Sequence, residues 1–287
     1  MKARSKRLSL FFLLVPAGLV MFPFLGALVM LIVESFQTYI HGGIIQVSYS
    51  FTLENYVTYF GKTFVYYGFL WDTIRLAGIA VVISVLMAYP MAYKIIRSKS
   101  KMVKKILLTT TIALFFVSTT TKVYSWVVIL GDAGVVNSIM MFLGFHQTRY
   151  LGSDAAIIIG LIYFLIPIAT LALIGPIKNV DPLLEQGAMN LGATMTKTFL
   201  RITLPLSMPG IIASTLLVYA IGVSSFIIPA FLGRGLVFMM ANVIYKRFSE
   251  TFNYPGGAAL SVVLVGTTLF MAYGIGAIMM KKMRGFR

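Results

Sequence analysis

The sequence predicts an all-α polytopic membrane protein with six transmembrane helices, and three observations predict it. Of the 287 residues, 59% are hydrophobic and only 11% charged, with a mean hydropathy of +0.92, a make-up foreign to ordinary soluble domains. The apolar residues fall in runs of about 20 or more, enough for a helix to cross a hydrocarbon core of roughly 30 Å. Lys and Arg gather at the ends of alternate runs, which is the bias of segments kept on the cytoplasmic side. That bias accounts for the formal charge of +16, so no nucleic-acid partner is expected. There is no cysteine, which excludes disulfides and thiolate metal sites.

The elements follow in order. Lys2, Arg4, Lys6 and Arg7 precede a first apolar run over about 8–33. A secretion signal has a shorter apolar core, roughly 7 to 15 residues, so a retained first span is expected. Residues 34–69 read as an outside loop. The second span covers about 70–96 and ends in Lys94, Arg97, Lys99, Lys101, Lys104 and Lys105, the strongest inside marker in the chain. The third, about 106–130, leads to an outside loop with Gly131, Asp132, Gly134 and Asn137; the fourth covers about 155–177. The fifth covers about 206–231, an outside loop with Arg234, Lys246, Arg247 and Glu250 follows, and the sixth covers about 257–280, ahead of Lys281, Lys282, Arg284 and Arg287. The four inside segments then hold 4, 6, 3 and 4 of the 24 Lys and Arg, which places both termini in the cytoplasm. Residues 1–287 are expected to form a single transmembrane domain, with no repeat, low-complexity tract or linker.

Residues 181–205, DPLLEQGAMNLGATMTKTFLRITLP, are too polar to span a bilayer and too apolar for a plain loop. Asp181 can cap a helix that starts at Pro182, with Glu185 in the first turn, where the helix dipole favours an acid. Leu184, Ala188 and Leu191 at i, i+4 and i+7 make a narrow apolar stripe, and Gly192 can take the left-handed conformation that ends a helix. Thr194 can start a second helix running through Phe199 and Ile202 to Leu204. Two readings stand side by side: an amphipathic helix lying on the lipid surface, or a knob that presents its uncovered apolar face to another protein.

Little else carries chemistry. Gly61, Lys62 and Thr63 look like the end of a phosphate-binding loop, but the required preceding glycine is Tyr56, so the loop is absent and energy must come from another polypeptide. His41 and His146 lie far apart with no carboxylate pattern and read as loop residues. All eight acids, Glu34, Glu54, Asp72, Asp132, Asp154, Asp181, Glu185 and Glu250, fall in loops or at span ends. An ion-driven carrier keeps a carboxylate near the membrane midplane, so this weighs against one. Lys122 lies about two turns inside the third span, either snorkelling to the outer interface or lining a solute path. Tyr124, Trp126, Tyr163, Tyr219, Ser224, Ser225 and Phe226 could line the same path, or serve packing and interface anchoring.

The 181–205 stretch resembles the EAA motif of ABC importer permeases. Gln186, Gly187 and Ala188 stand where EAA stands, followed at the family's intervals by Gly192, Ile202, Leu204 and Pro205. Glu has become Gln186, the first Ala has become Gly187, and Glu185 sits one place early. The segments FTLENY (51–56), WDTIRLAGIAVVISVLMAYPMAY (71–93), GLIYFLIPIATLAL (160–173), LPLSMPGIIAS (204–214) and SSFIIPAFLG (224–233) look like those of spermidine and putrescine permeases. The resemblance implies the MetI-like transmembrane domain of type I ABC importers in a bacterial inner membrane. It implies coupling helices at 181–203, with Glu185, Gln186, Gly187, Ala188, Leu191, Gly192 and Ala193 meeting an ATPase. It also implies a homologous permease partner in a heterodimer, two ATPase subunits that bind ATP and Mg, a soluble substrate-binding protein, and no catalysis or cofactor in this chain. Relatives often carry an acid before the Phe of SSF, where this chain has the neutral Ser224 and Ser225. A polyamine-like solute is expected, with an amino-acid-like or other small organic solute as the alternative; a membrane scaffold and an ion-coupled carrier are the rival classes.

Overall fold

A computed structural model describes residues 2–39, 47–48, 50–61 and 65–284; His41, Lys62, Thr63 and Arg287 lie outside the described residues. Helix α1 runs Lys2–Ser35, followed by a short antiparallel pair, β1 Thr38–Tyr39 and β2 Val47–Ser48. One turn, α2 Glu54–Tyr56, continues into a π-helical turn Val57–Gly61, and α3 spans Val65–Arg97. Then come α4 Lys101–Phe116, α5 Thr119–Leu130, α6 Val135–Phe142 and α7 Asp154–Lys178. Helix α8, Pro182–Asn190, is followed by α9, Met195–Thr198, a π-helical turn Phe199–Thr203 and α10, Leu204–Val223. The chain closes with α11 Ile227–Leu232, α12 Met240–Ser249 and α13 Tyr254–Arg284. Among the described residues six helical stretches are long and apolar enough to cross a membrane: 18–35, 65–97, 119–142, 154–178, 195–223 and 254–277.

Two expected spans are interrupted. The third, expected unbroken over about 106–130, is α4 and α5 with Val117 and Ser118 extended between them (ψ 129° and 138°). The run Val117-Ser118-Thr119-Thr120-Thr121 explains the break: β-branched and hydroxyl side chains weaken the helical alternative. The fifth, expected over about 206–231, stops at Val223 and restarts at Ile227. Pro229 has no N–H to give the Ser225 carbonyl, so an unbroken helix would lose that bond; in α11 Pro229 falls in the first turn, where none is needed. The expected outside loops are also partly ordered: 34–69 holds the β pair and α2, and 232–256 holds α12.

The chain separates into two compact units. In the larger, residues 68–242 and 266–287, α7 packs along α10 and α11 through small residues. A Cβ on Gly210 would stand 2.2 Å from Pro176, and one on Gly160 would stand 2.4 Å from Leu232. With lipid as apolar as the protein interior, close backbone approach of this kind holds membrane helices together. Ser214 crosses the seam to the Ala172 carbonyl at 3.0 Å. Leu161, Leu165, Leu173 and Ile177 of α7 are fully buried.

In the smaller unit, residues 1–67 and 243–265, Asn55 is buried and donates to the carbonyls of Ser35 (3.0 Å) and Gln37 (2.8 Å), satisfying the open end of α1. Phe51 stacks on Phe36 with centroids 4.8 Å apart, and Tyr56 shares a 2.7 Å hydrogen bond with Ser35. The FTLENY phrase is thus a latch on the first helix. Arg247 lies 5.3 Å over the Tyr59 ring and donates to the Tyr66 hydroxyl.

Candidate functional site

Helix α8 forms as its sequence dictates. Asp181 caps it, accepting from the Leu183 N–H at 2.9 Å, and Pro182 takes the first helical position. At the other end Gly192 has φ +86°. The Gly192 N–H reaches the Met189 carbonyl and the Ala193 N–H the Ala188 carbonyl, both at 3.0 Å; this pair of bonds is a Schellman cap. Thr194 then caps α9 through the Lys197 N–H at 3.3 Å. The second helix of the pair is continuous with α10 through the π-helical turn, so the knob is rooted directly in a span.

The knob shows its greasy side. Leu191 is 91% exposed, and Leu183, Leu184, Met189 and Met195 are exposed beside it. Gln186, Gly187 and Gly192 are also exposed, and Ala188 and Ala193 half-buried. Glu185 points the other way. Only 7% exposed, its two carboxylate oxygens each lie 3.1 Å from Nε of Arg97, the last residue of α3. Nη2 of Arg97 donates to the Val180 carbonyl at 2.6 Å, and the Thr203 hydroxyl donates to Glu185 at 2.8 Å. Ser207 donates to the Thr203 carbonyl at 2.7 Å and pairs with the Tyr89 hydroxyl at 2.8 Å. Tyr89 and Tyr93 hold Phe199 edge-on, with centroids 5.6 and 5.4 Å away. Tyr89, Tyr93 and Arg97 recur every four residues and share one helix face. That face borders a groove of about 800 Å³, walled mainly by apolar side chains such as Leu86, Phe199, Leu204 and Met208.

The expected path residues divide into two groups. On α5 and α7, Lys122 is 4% exposed and lies 5.5 Å over the Phe164 ring, and Trp126 meets Tyr163 edge-on at 5.8 Å. Lys122 therefore does not snorkel along the chain's surface: α5 turns it toward α7. Tyr124 is exposed and packs on Phe231 at 5.1 Å. The break between α10 and α11 holds the other group: Ser224, exposed and bonded to the Ile221 carbonyl at 3.1 Å, half-buried Ser225, and Phe226, whose carbonyl accepts from Asn242 at 3.1 Å. Tyr219, 3% exposed, sits in the core. His146 is exposed, and among the described residues no three His, Asp or Glu side chains gather to hold a metal.

Arg97, Thr203, Ser207 and Tyr89 were not legible as partners of the knob. Arg97 reads as one more topology-setting cation, and nothing in a single sequence joins it to Glu185 across 88 residues.

Comparison with known proteins bears on most of the chain. The family model described as binding-protein-dependent transport system inner membrane component matches residues 80–285. Over 240 residues the chain is 32% identical to the spermidine/putrescine transport system permease protein PotB of Haemophilus influenzae, covering 82% of this chain and 83% of that one. It is 33% identical over 248 residues to the protein of the same name from Escherichia coli, covering 86% and 88%. The fold matches a crystal structure of a bacterial ABC transporter involved in import of the acidic polysaccharide alginate, with a TM-score of 0.77, 18% identity and 96% of both chains covered.

Proposed function

This chain belongs to the binding-protein-dependent transport system inner membrane components, and from that premise we propose that it forms the solute path of an importer for a polyamine-like cation and takes its power stroke through α8. It is a multi-pass inner-membrane permease subunit of an ABC importer, not an enzyme. The polyamine cargo is supported by the likeness, over 82% and 86% of the chain, to two permeases named for spermidine and putrescine. The observation that carries the power-stroke half is the exposed apolar surface of α8 and α9 around Leu191. It lies on the short helices that precede α10, on a rigidly capped knob, where a protein groove would cover it.

In this mechanism both termini and the knob face the cytoplasm, as the distribution of Lys and Arg favours. A homologous permease completes the membrane pair, two ATPases bind ATP and Mg below, and a soluble binding protein docks outside. Closing of the ATPase pair moves the two knobs, and the spans change from inward-facing to outward-facing to accept the solute. A few kcal/mol of differential binding suffices to tip such a two-state bundle. Leu191 with Gln186, Gly187 and Ala188 forms the docking face.

One observation favours a second cargo. Lys122 is buried on α5 against an aromatic ring, and among the described residues it has no carboxylate partner. A cation at low dielectric repels a polycation and attracts a carboxylate, which suits an amino-acid-like solute.

Vesicles holding the full complex decide between them. Spermidine uptake that needs ATP and the binding protein, and that putrescine inhibits, supports the polyamine cargo. Lys122→Gln should leave that uptake within about twofold or raise it, whereas a bound carboxylate would lose roughly tenfold, about the worth of one charge-assisted hydrogen bond. Failure of the ATPase to copurify with the chain overturns the power-stroke proposal.

A further inference from the structure

Resting on that reading, we propose that the Arg97–Glu185–Thr203 clasp is the joint that converts movement of the knob into movement of the spans, with Arg97 its positioning residue. Three elements meet in it. Glu185 belongs to α8, Arg97 ends α3, and Thr203 is the last residue of the π-helical turn that begins α10. The contacts grip that turn at both ends: Phe199, its first residue, lies between Tyr89 and Tyr93, and Thr203 hangs from Glu185.

The chemistry suits a joint better than a docking surface. Glu185 is buried within this chain, so its carboxylate is spent on Arg97 and Thr203 and is not presented to a partner. Arg97 is used as a fork: Nε serves the carboxylate on α8 while Nη2 holds the Val180 carbonyl just before the cap of that helix. A lysine, with one compact ammonium, cannot hold both with the same geometry. A buried ion pair is weak support for stability and serves better to fix one arrangement over others. Here the arrangement fixed is the angle of α8 to both α3 and α10. The π-helical turn between knob and span has the wide geometry often found where a helix does functional work. Unclasped, the knob can swing about Thr194–Phe199 while the spans stay still.

The joint separates two properties that docking would move together: attachment of the ATPase and response of the spans. Because the chain has no cysteine, a reporter is simple. Ser125→Cys is exposed on α5 and reads span movement by its maleimide labelling rate, with and without ATP and vanadate, in the intact complex. No solute is involved, so a wrong cargo assignment leaves the readout untouched, whereas absence of the ATPase from the parent complex would fail the reading above. In Arg97→Gln the ATPase should still copurify and hydrolyse ATP, while the ATP-driven change in labelling falls by about tenfold, within the usual span of coupling between sites. Glu185→Gln is isosteric and stays folded if Arg97→Gln does not; it should lose less, about threefold, because Gln can still accept from Thr203. The exchange Arg97→Glu with Glu185→Arg should recover part of the response. Loss of ATPase attachment in Glu185→Gln would overturn the proposal and return Glu185 to the docking face. An unchanged labelling response in both variants would equally overturn it.

Discussion

The seam between α7 and α10 and the knob α8 are both rich in glycine, alanine and leucine, yet they use them oppositely. In the seam, glycine removes bulk so that two helices touch: Gly210 leaves no room for a Cβ beside Pro176, and Leu173 and Ile177 are completely covered. On the knob, glycine sits in open space: nothing lies within 4 Å of a Cβ built on Gly187 or Gly192, and Leu191 is almost fully bare. The first set of residues has its complement inside the chain. The second has none among the described residues, and the function proposed above gives it a partner protein as its complement. A permease needs both, because a rigid bundle without a handle cannot be driven and a handle on a loose bundle transmits nothing.

The largest effect should come from giving the seam the bulk that the knob tolerates. Gly210→Leu forces side-chain atoms into the Pro176 ring and its backbone, and overpacking of a close helix contact costs about 3 kcal/mol or more. The expected outcome is a sharp loss of monodisperse protein in detergent. Gly187→Ala, the contrasting change, should raise stability by up to about 1 kcal/mol through helix propensity alone. If both variants melted at the parent temperature, the distinction between the two regions would be lost.

A surface change on the knob comes next. Leu191→Glu removes one apolar side chain from the proposed docking face and adds a charge. Burial of such a chain is worth about 1.5 to 3 kcal/mol, so ATPase affinity should fall by roughly 10- to 100-fold, read by titrating the ATPase onto the permease in nanodiscs. Thermal stability of the permease should stay within about 0.5 kcal/mol of the parent, as for exposed positions without a structural role. An unaltered affinity would mean the greasy face of α8 meets something else, such as lipid.

How far the residues announced all this differs between the same two regions. The knob was readable because its signals are local: Asp181 and Thr194 cap, Pro182 starts, Gly192 stops, and each bond spans five residues or fewer. The span count was readable because composition alone decides which runs enter a bilayer. Breaks were not, since Val117–Ser118 and Ser224–Phe226 are settled by which helix gives way first, a small difference in hydrogen bonding inside a uniformly apolar run. The clasp was least readable. Glu185 has an ordinary first-turn explanation and Arg97 an ordinary topological one, and only the fold brings the two side chains together. Lys122 was legible as an anomaly but its direction was not, because snorkelling outward and turning inward toward Phe164 differ by a rotation of α5 that its sequence leaves unspecified.

The smallest effect should come from Gly192, where space and conformation can be told apart. A seam glycine is needed for its missing side chain, but Gly192 has free room around it and is needed for φ +86°. Gly192→Ala therefore meets no clash and suffers only the left-handed penalty, about 1 kcal/mol for an ordinary L-residue. Asparagine tolerates that conformation better, so Gly192→Asn should cost about half as much. The penalty falls on the Schellman cap and frays the last turn of α8, next to its C-cap residue Leu191. ATP-driven transport should drop by about fivefold for Ala and about twofold for Asn, following the energies at 0.59 kcal/mol per RT. Hydrogen exchange of the Leu191, Gly192 and Ala193 amides should quicken in the same order while α7 and α10 stay protected. Equal effects from Ala and Asn would mean that Gly192 is held to bare backbone by the groove it enters, and the knob would then obey the same close-approach rule as the seam.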